Sequence, residues 1–309
     1  MKIIKLDENS KKNILDDLLK RSPNNYGEFT DRVNAILLDV KSRKDEAVFE
    51  YTKKFDGADV NASNIIVTKE EIDAAYEEIK DTGLVDIIRK ALVNIRDYHQ
   101  KQRQYSWFDS KPDGSILGQK ITALEKVGVY VPGGKAAYPS SVLMNIVPAK
   151  VAGVDKIIMT TPPNKEGKVN PATLVAANEA GADVIYKVGG AQAIAAMAYG
   201  TESIPKVDKI VGPGYIYVAL AKKAVYGHVS IDSVAGPSEI LVLADETANP
   251  RYVAADLLSQ AEHDEMASAI LVTTSKELTN TSGLIVMCIL SIMGLLIYGY
   301  RGKFDKDEY

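Results

Sequence analysis

From Ile121 onward, short apolar runs alternate with alanine-rich stretches of about ten residues, and this alternation limits the possible folds more than any other feature. A strand followed by a helix and then another strand forms a crossover, which places the two strands parallel. The sequence therefore predicts an α/β fold built on parallel strands. The predicted strands are Val127–Val131, Lys156–Thr160, Asp183–Lys187, Lys209–Val211, Ile240–Ala244 and Ala269–Thr273. The predicted helices are Ser141–Ala152, Pro171–Ala180, Ala191–Tyr199, Ile216–Val225 and Pro250–Glu262.

The residues before this region are predicted to be helical over residues 9–105. An amphipathic stretch that starts at Glu28 is predicted to end at Gly57, because glycine is a common C-terminal stop. Thr68 and Glu71 have the spacing of a capping box, in which the hydroxyl and the carboxylate satisfy two free N–H groups at a helix start. A helical N-terminal segment is thus expected to precede the parallel sheets.

The 309 residues suit about two domains of ordinary size. We expect the sheet to be divided between two lobes. The predicted division is a helical region over 1–120 that contributes to lobe 1, an α/β lobe 2 over 121–235, an α/β return segment to lobe 1 over 236–275, and an atypical apolar tail over 276–309.

Charge and cysteine content exclude several classes of protein. The 37 basic and 41 acidic residues are spread along the chain and give a net charge of −4, so no basic stripe indicates nucleic-acid binding. Cys288 is the single cysteine, which excludes a disulfide framework and a cysteine-based zinc cluster. The N-terminus carries acidic residues where a signal peptide would have its apolar core.

Glycine-rich loops follow three of the predicted strands. Residues 131–135 and 188–192 place small residues where backbone N–H groups and a helix N-terminus could meet a phosphate, since ligands of such sheets bind where strands end. The alternative is that these are tight turns that need positive φ. Gly212-Pro213-Gly214 begins like a dinucleotide fingerprint, but Tyr217 stands where the third glycine would be.

Gln260 and His263 lie three positions apart on a predicted helix, so their side chains share one face and can reach one ion. Imidazole is a good zinc ligand and a carboxamide oxygen is a weaker one. Taken alone, such a pair is more often two ordinary surface or core groups.

Five segments together resemble histidinol dehydrogenase: Asn94–Trp107, Gly128–Val154, Val188–Gly214, Ala235–Asp245 and Ala254–Asp264. The resemblance implies a cytoplasmic homodimer with incomplete Rossmann-like parallel sheets in two lobes. It also implies a dependence on NAD and zinc. The implied reaction is the oxidation of histidinol to histidine in two NAD-dependent steps through an aldehyde.

The resemblance also implies roles for single residues. Tyr130 and Gln192 match positions that contact NAD, and Ser238 matches a substrate contact. Gln260 and His263 match two zinc ligands that also touch the substrate. Each residue has a structural alternative: Tyr130 could be core, Gln192 could cap a helix start, and Ser238 could close a turn.

The chain departs from the family pattern at its cofactor and catalytic positions. Tyr215 follows Gly-Pro-Gly, where the family has an asparagine that contacts NAD. The family's catalytic Glu-His pair and its two other zinc ligands, an Asp and a His, have no counterpart, and no histidine follows His263. The chain as given is therefore predicted to be an inactive form of the oxidoreductase. The alternative is a non-catalytic, membrane-anchored protein that binds a nucleotide or a metal.

Residues 283–300 carry no charged side chain and reach the lower length limit of a transmembrane helix. Tyr298 and Tyr300 would suit a membrane interface. A buried core helix and a misjoined reading frame are the two alternatives. Because the run has no polar face to leave in water, residues 276–309 are expected to make no productive contact with the α/β body.

Overall fold

The structure, a computed structural model, describes residues 3–4, 7, 27–133, 137–234, 239–261 and 268–286, except for the side chains of Gln260 and Ala261. The chain forms two units. The large unit is Tyr26–Ala235, and the small unit combines Met1–Asn25 with Gly236–Tyr309.

The large unit consists of helices packed on both sides of a parallel sheet. Its described α-helices are α1 (Gly27–Arg43), α2 (Asp45–Asp56), α3 (Lys69–Ile79), α4 (Leu84–Gln100), α5 (Pro139–Ala152), α6 (Pro171–Ala180), α7 (Gly190–Tyr199) and α8 (Ile216–Val225), with a short 3₁₀ turn at Lys80–Thr82. Its described strands are β1 (Trp107–Ser110), β2 (Ile116–Gln119), β3 (Lys126–Tyr130), β4 (Lys156–Thr161), β5 (Val184–Lys187), β6 (Lys209–Val211) and β7 (Ser230–Ile231).

The five described strands of the main sheet lie in the order β5-β4-β3-β6-β7, and every neighbouring pair is parallel. The chain enters the sheet in its centre at β3, builds outward to β5, returns to the centre at β6 and continues to β7. This is the strand order of a doubly wound nucleotide-binding sheet. The prediction of an α/β fold with a Rossmann-like parallel sheet is confirmed.

Both faces of this sheet are covered, which explains the near-continuous apolar runs in its strands. Side chains of one strand alternate between two hydrophobic clusters: Ile158 points to the cluster that contains α1, α2, α7 and α8, whereas Ile157 and Met159 point to the cluster that contains α3 to α6. All three of these side chains are fully buried. Each face therefore needs its own layer of helices.

The N-terminal helices differ in two respects from the sequence prediction. The amphipathic stretch from Glu28 is two helices, because the chain turns at Lys44, which has a positive φ of 56°. In addition, the helices of residues 27–100 pack on the main sheet in the large unit, whereas the predicted division assigned residues 1–120 to the other lobe. An amphipathic pattern identifies the buried face of a helix but not the sheet that covers it. The predicted capping box of Thr68 and Glu71 is present.

The small unit contains β8 (Ile240–Ala244), α9 (Pro250–Ala261) and β9 (Ala269–Thr273), with β8 and β9 parallel. Residues 276–286 are helical. Leu278 is 3% exposed and packs with Val253 and Leu257 of α9. The hydroxyl of Ser282 donates a hydrogen bond to the backbone oxygen of Pro250 over 3.3 Å.

These contacts correct the expectation that residues 276–309 make no contact with the α/β body. The segment 276–286 packs an apolar face against α9. The sequence did not indicate this face, because the charge-free run that begins at residue 283 has no polar side to contrast with it. Residues 287–300, the larger part of the candidate membrane helix, lie outside the described residues. Within the described part of the chain, no helix is both long and apolar enough to cross a membrane.

Candidate functional site

The carboxyl edge of the main sheet has a topological switch point between β3 and β6. From β3 the chain crosses to β4 on one side, and from β6 it crosses to β7 on the other. Ligands of open α/β sheets bind in the crevice that this divergence leaves at the carboxyl ends of the strands. The three residues predicted to contact the cofactor lie at this edge, since Tyr130 ends β3, Gln192 lies in the first turn of α7, and Tyr215 precedes α8.

Tyr130 connects the end of β3 to the start of α7. Its hydroxyl oxygen accepts a hydrogen bond from the backbone N–H of Gly190 over 3.2 Å. The side chain is 3% exposed, and burial raises the pKa of its phenol to about 12, so the hydroxyl stays neutral at physiological pH. Tyr130 is therefore both a core residue, as the structural alternative supposed, and a part of the edge where a ligand would lie.

Gln192 is the most informative residue of the site. It is 1% exposed, and within the described part of the chain neither its Nε2 nor its Oε1 atom has a hydrogen-bond partner. Leaving a buried amide unpaired costs about 1–3 kcal/mol. A fold that retains such a group at the carboxyl edge of a Rossmann-type sheet has an unused donor and acceptor available for a ligand.

Tyr215 occupies the N-cap position of α8 and is 54% exposed. Its carbonyl oxygen accepts hydrogen bonds from the backbone N–H groups of Val218 and Ala219. Its hydroxyl is hydrogen-bonded to Tyr138, which raises the pKa of the Tyr138 phenol. The ring of Tyr215 is thus held at the edge of the sheet, at the first turn of a helix whose N-terminal N–H groups favour an anion.

The glycines of the two other loops are explained in part by packing. Ideal Cβ atoms on Gly133 and Gly189 would lie 2.8 and 2.4 Å from side-chain atoms of Pro162, which follows β4. Gly190 has a positive φ of 63°. The loops after β3, β4 and β5 therefore meet at Pro162, and the positive φ of the tight-turn interpretation is present at Gly190 but not at Gly133 or Gly189. Gly134 and Lys135 lie outside the described residues.

Asp56 is a residue of this neighbourhood that the sequence did not indicate. It ends α2, its Oδ2 atom is buried, and that atom has no hydrogen-bond partner within the described residues. Burial raises the pKa of the carboxyl to about 6, and its charge in turn raises the pKa of Tyr130. Only the folded structure brings the end of α2 to the end of β3.

The residues predicted to bind substrate and zinc cannot be placed. Ser238, His263 and the side chain of Gln260 lie outside the described residues. Among the residues that the structure does describe, no group of three His, Cys, Asp or Glu side chains could hold a metal ion.

The other two histidines of the chain, His99 and His228, lie in the large unit. His99 is near the end of α4, where its Nδ1 is 2.7 Å from the side-chain oxygen of Gln102. His228 lies between α8 and β7, at the amino edge of the sheet, with its ring 5.1 Å from that of Tyr199.

Comparison with known proteins decides the family. The histidinol dehydrogenase family model matches residues 19–286, which is more than half of the chain. The chain belongs to the histidinol dehydrogenase family. The match also extends through residues 276–286, the segment that packs on α9, beyond the end of the resemblance seen in the sequence.

Curated histidinol dehydrogenases are closely similar to this chain. The protein from Halalkalibacterium halodurans is 61% identical over 246 residues, which cover 80% of this chain and 57% of the relative. The protein from Clostridium acetobutylicum is 60% identical over 261 residues, which cover 84% of this chain and 60% of the relative. The matched part of this chain thus spans less than two thirds of these relatives.

A solved structure supports the same fold. The crystal structure of histidinol dehydrogenase from Elizabethkingia anophelis matches with a TM-score of 0.78 at 43% identity. The match covers 84% of this chain and 60% of that chain. Together with the curated relatives, this likeness agrees with the assignment of the chain to the histidinol dehydrogenase family.

Proposed function

We propose that this chain is an inactive form of a histidinol-oxidising enzyme and that it binds NAD at the carboxyl edge of its main sheet. The observation that carries the proposal is the unpaired amide of Gln192, fully buried beside the switch point of a sheet with Rossmann-type strand order. The residues present fit a dinucleotide, because an amide donor and acceptor, a neutral phenol at Tyr130 and a free helix N-terminus at α8 share one edge.

In this proposal NAD supplies the acceptor for a hydride removed from the substrate carbon. Gln192 donates from Nε2 and accepts at Oε1, which fixes the orientation of a carboxamide or a hydroxyl group. Tyr130 fixes the turn that opens α7, since it accepts the Gly190 N–H that the helix leaves free. Tyr215 limits access to the N-terminus of α8 and, through Tyr138, orders the rim of the site.

The substrate and the metal are proposed from the family alone. The relatives are named histidinol dehydrogenase, so histidinol is the proposed substrate. Gln260 and His263 are the proposed zinc ligands and, with Ser238, the proposed substrate contacts. We derive no step through zinc, because these two ligands fall short of the three protein groups that a catalytic zinc site normally has. A cytoplasmic homodimer is likewise proposed on the resemblance.

The variant Gln192→Met tests the cofactor site. Because methionine fills a similar volume without a polar group, we expect the free energy of unfolding without NAD to rise by ~1 kcal/mol. NAD affinity should fall about tenfold, the usual effect of a lost pair of hydrogen bonds. Calorimetric titration with NAD and urea unfolding measure the two effects.

A rise in stability together with a fall in NAD affinity is expected when a buried polar residue binds a ligand and does not stabilise the fold. The exposed Gln102→Met is the matched control and should leave NAD affinity unchanged. A loss of stability in Gln192→Met would mean that the amide is paired in solution, and an unchanged NAD affinity would refute its role in the site.

The variant Tyr215→Asn tests the position where the family pattern has asparagine. An asparagine can offer both a donor and an acceptor to NAD, so we expect binding to tighten by ~0.5–1.5 kcal/mol. Asparagine is also a preferred N-cap residue, and α8 has no side-chain cap within the described residues, so the melting temperature should rise as well.

Two controls separate the causes of any change at residue 215. Tyr215→Ala removes the ring without supplying a carboxamide or a cap. Tyr138→Phe removes only the hydrogen bond that holds the ring. Equal NAD affinities for the tyrosine, alanine and asparagine forms would show that the loop does not touch the cofactor.

A further inference from the structure

An ion pair between a buried lysine and a partly exposed aspartate, next to the proposed cofactor edge, has no part in the roles described so far. Lys222 lies on α8 with only 4% of its side chain exposed, and its Nζ atom pairs with Oδ1 of Asp232, just after β7. The Asp232 side chain is 31% exposed, and an ion pair that removes its lysine from water is weak evidence for stability. The pair therefore calls for an explanation other than stability.

The explanation lies in the peptide groups of Gly212, at the end of β6. The backbone N–H of Gly212 donates to Oδ2 of Asp232 over 2.8 Å. The carbonyl oxygen of the same glycine accepts from Nζ of Lys222, also over 2.8 Å. The backbone N–H and the carbonyl oxygen of Gly212 are thus both hydrogen-bonded, one to Asp232 and the other to Lys222, and these two side chains also pair with each other.

Gly212 is the residue that needs such support. Its φ is 114°, a conformation in which a residue with a side chain would be strained, and an ideal Cβ atom would lie 2.0 Å from the carbonyl oxygen of Tyr130. The backbones at the ends of β3 and β6 therefore touch at the switch point. Gly212 is followed by Pro213, Gly214 and Tyr215, so its orientation sets the path of the chain into α8.

We propose that Lys222 and Asp232 are positioning residues that hold the loop of residues 212–215 in the shape that receives the dinucleotide. The inference rests on the proposed function for its ligand. It assigns a role to two residues that need not touch the cofactor: they preform the loop, so that binding does not have to order it.

The same sheet contains a matched control at its opposite edge. Asp183 precedes β5, accepts the backbone N–H of Ile157 over 2.7 Å and pairs with Nζ of Lys150 at 3.2 Å. Like Asp232, Asp183 accepts one backbone N–H and pairs with one lysine. It lies at the amino edge of the sheet, however, where no ligand is proposed. Asp183→Asn should therefore lower stability without affecting NAD binding.

The experiment compares Asp232→Asn, Lys222→Met, Lys222→Arg and Asp183→Asn in the full 309-residue chain. NAD affinity is measured by calorimetric titration, and amide hydrogen exchange is followed in peptides that cover residues 209–216. For Asp232→Asn and Lys222→Met we expect NAD affinity to fall about tenfold and exchange in this loop to accelerate without NAD. Lys222→Arg keeps the positive charge and the ability to donate to both acceptors, so NAD affinity should fall less than in Lys222→Met.

The outcomes separate a failure of this inference from a failure of the proposed function. If the unmodified chain bound no NAD, the proposed function would fail, and the exchange rates alone would decide whether the pair holds the loop. If Asp232→Asn and Lys222→Met bound NAD normally, or if Asp183→Asn weakened binding equally, the positioning role would be overturned. It would also be overturned if both variants were unfolded, since the pair would then be required for folding.

Discussion

No NADH is expected to form when the 309-residue chain is mixed with histidinol, NAD and zinc. A positioned general base contributes about 10²–10⁴-fold to a rate, and the family's catalytic Glu-His pair has no counterpart in this chain. A catalytic zinc normally has three protein ligands, whereas the resemblance supplies only Gln260 and His263. We expect turnover at least ~10³-fold below that of a complete relative.

The resemblance assigns none of the chain's three histidines to the missing base. The chain has three histidines. His228 lies at the amino edge of the main sheet, opposite the proposed cofactor edge, and His99 lies on α4 beside Gln102. His263, the third, is already assigned to zinc by the resemblance.

The histidinol dehydrogenase of Bacillus subtilis, 59% identical to this chain over 249 residues, is the positive control for the assay. Absorbance of NADH at saturating histidinol is the readout for both proteins. Steady turnover by this chain above a blank without enzyme would refute the prediction. Binding of NAD without turnover is the result that the proposed function predicts for this chain.

Apart from β7, the strands of the main sheet and the helices that connect them were predictable because each is marked by local signals. α6 starts at Pro171 after the capping Asn170 and ends before Gly181, and the predicted and observed bounds are the same. β6 and α8 also have the predicted bounds. Runs buried on both faces of a parallel sheet stand out in the sequence as near-continuous apolar stretches between turn signals.

The elements that the sequence did not predict lack such signals. The helix break at Lys44 has neither glycine nor proline at the turn. The ribbon of β1 and β2 is exposed along its whole length, so it has no buried face to create an alternating pattern. β7 has two residues and is too short to be recognised by periodicity.

The candidate site was predictable only as far as the family resemblance extends. Tyr130, Gln192 and Tyr215 are brought to one edge by the strand order, and the parallel crossovers already implied that edge. The unpaired state of Gln192 and the contact of Lys222 and Asp232 with Gly212 depend on burial and on atomic distances. No spacing in the sequence encodes them.

Leu278→Ala is expected to lower the free energy of unfolding of the small unit by about 2–3 kcal/mol. Leu278 is 3% exposed and packs on Val253 and Leu257, which are 5% and 8% exposed. The expected loss lies in the lower part of the usual range for such changes because the cluster is small and can partly close the cavity. Amide hydrogen exchange in α9 measures the effect as a lower opening free energy.

Leu284→Ala is the matched control, since Leu284 lies in the same helical segment, 276–286, and is 67% exposed. The two variants remove the same atoms from similar helical positions, so a difference between them reports packing on α9 and not helix propensity. Deletion after Ser275 should destabilise the small unit at least as much as Leu278→Ala, because it also removes the hydrogen bond from Ser282 to Pro250. Equal exchange in α9 for the two leucine variants would show that segment 276–286 does not pack on α9 in solution, and the original expectation of a tail without contacts would then be restored.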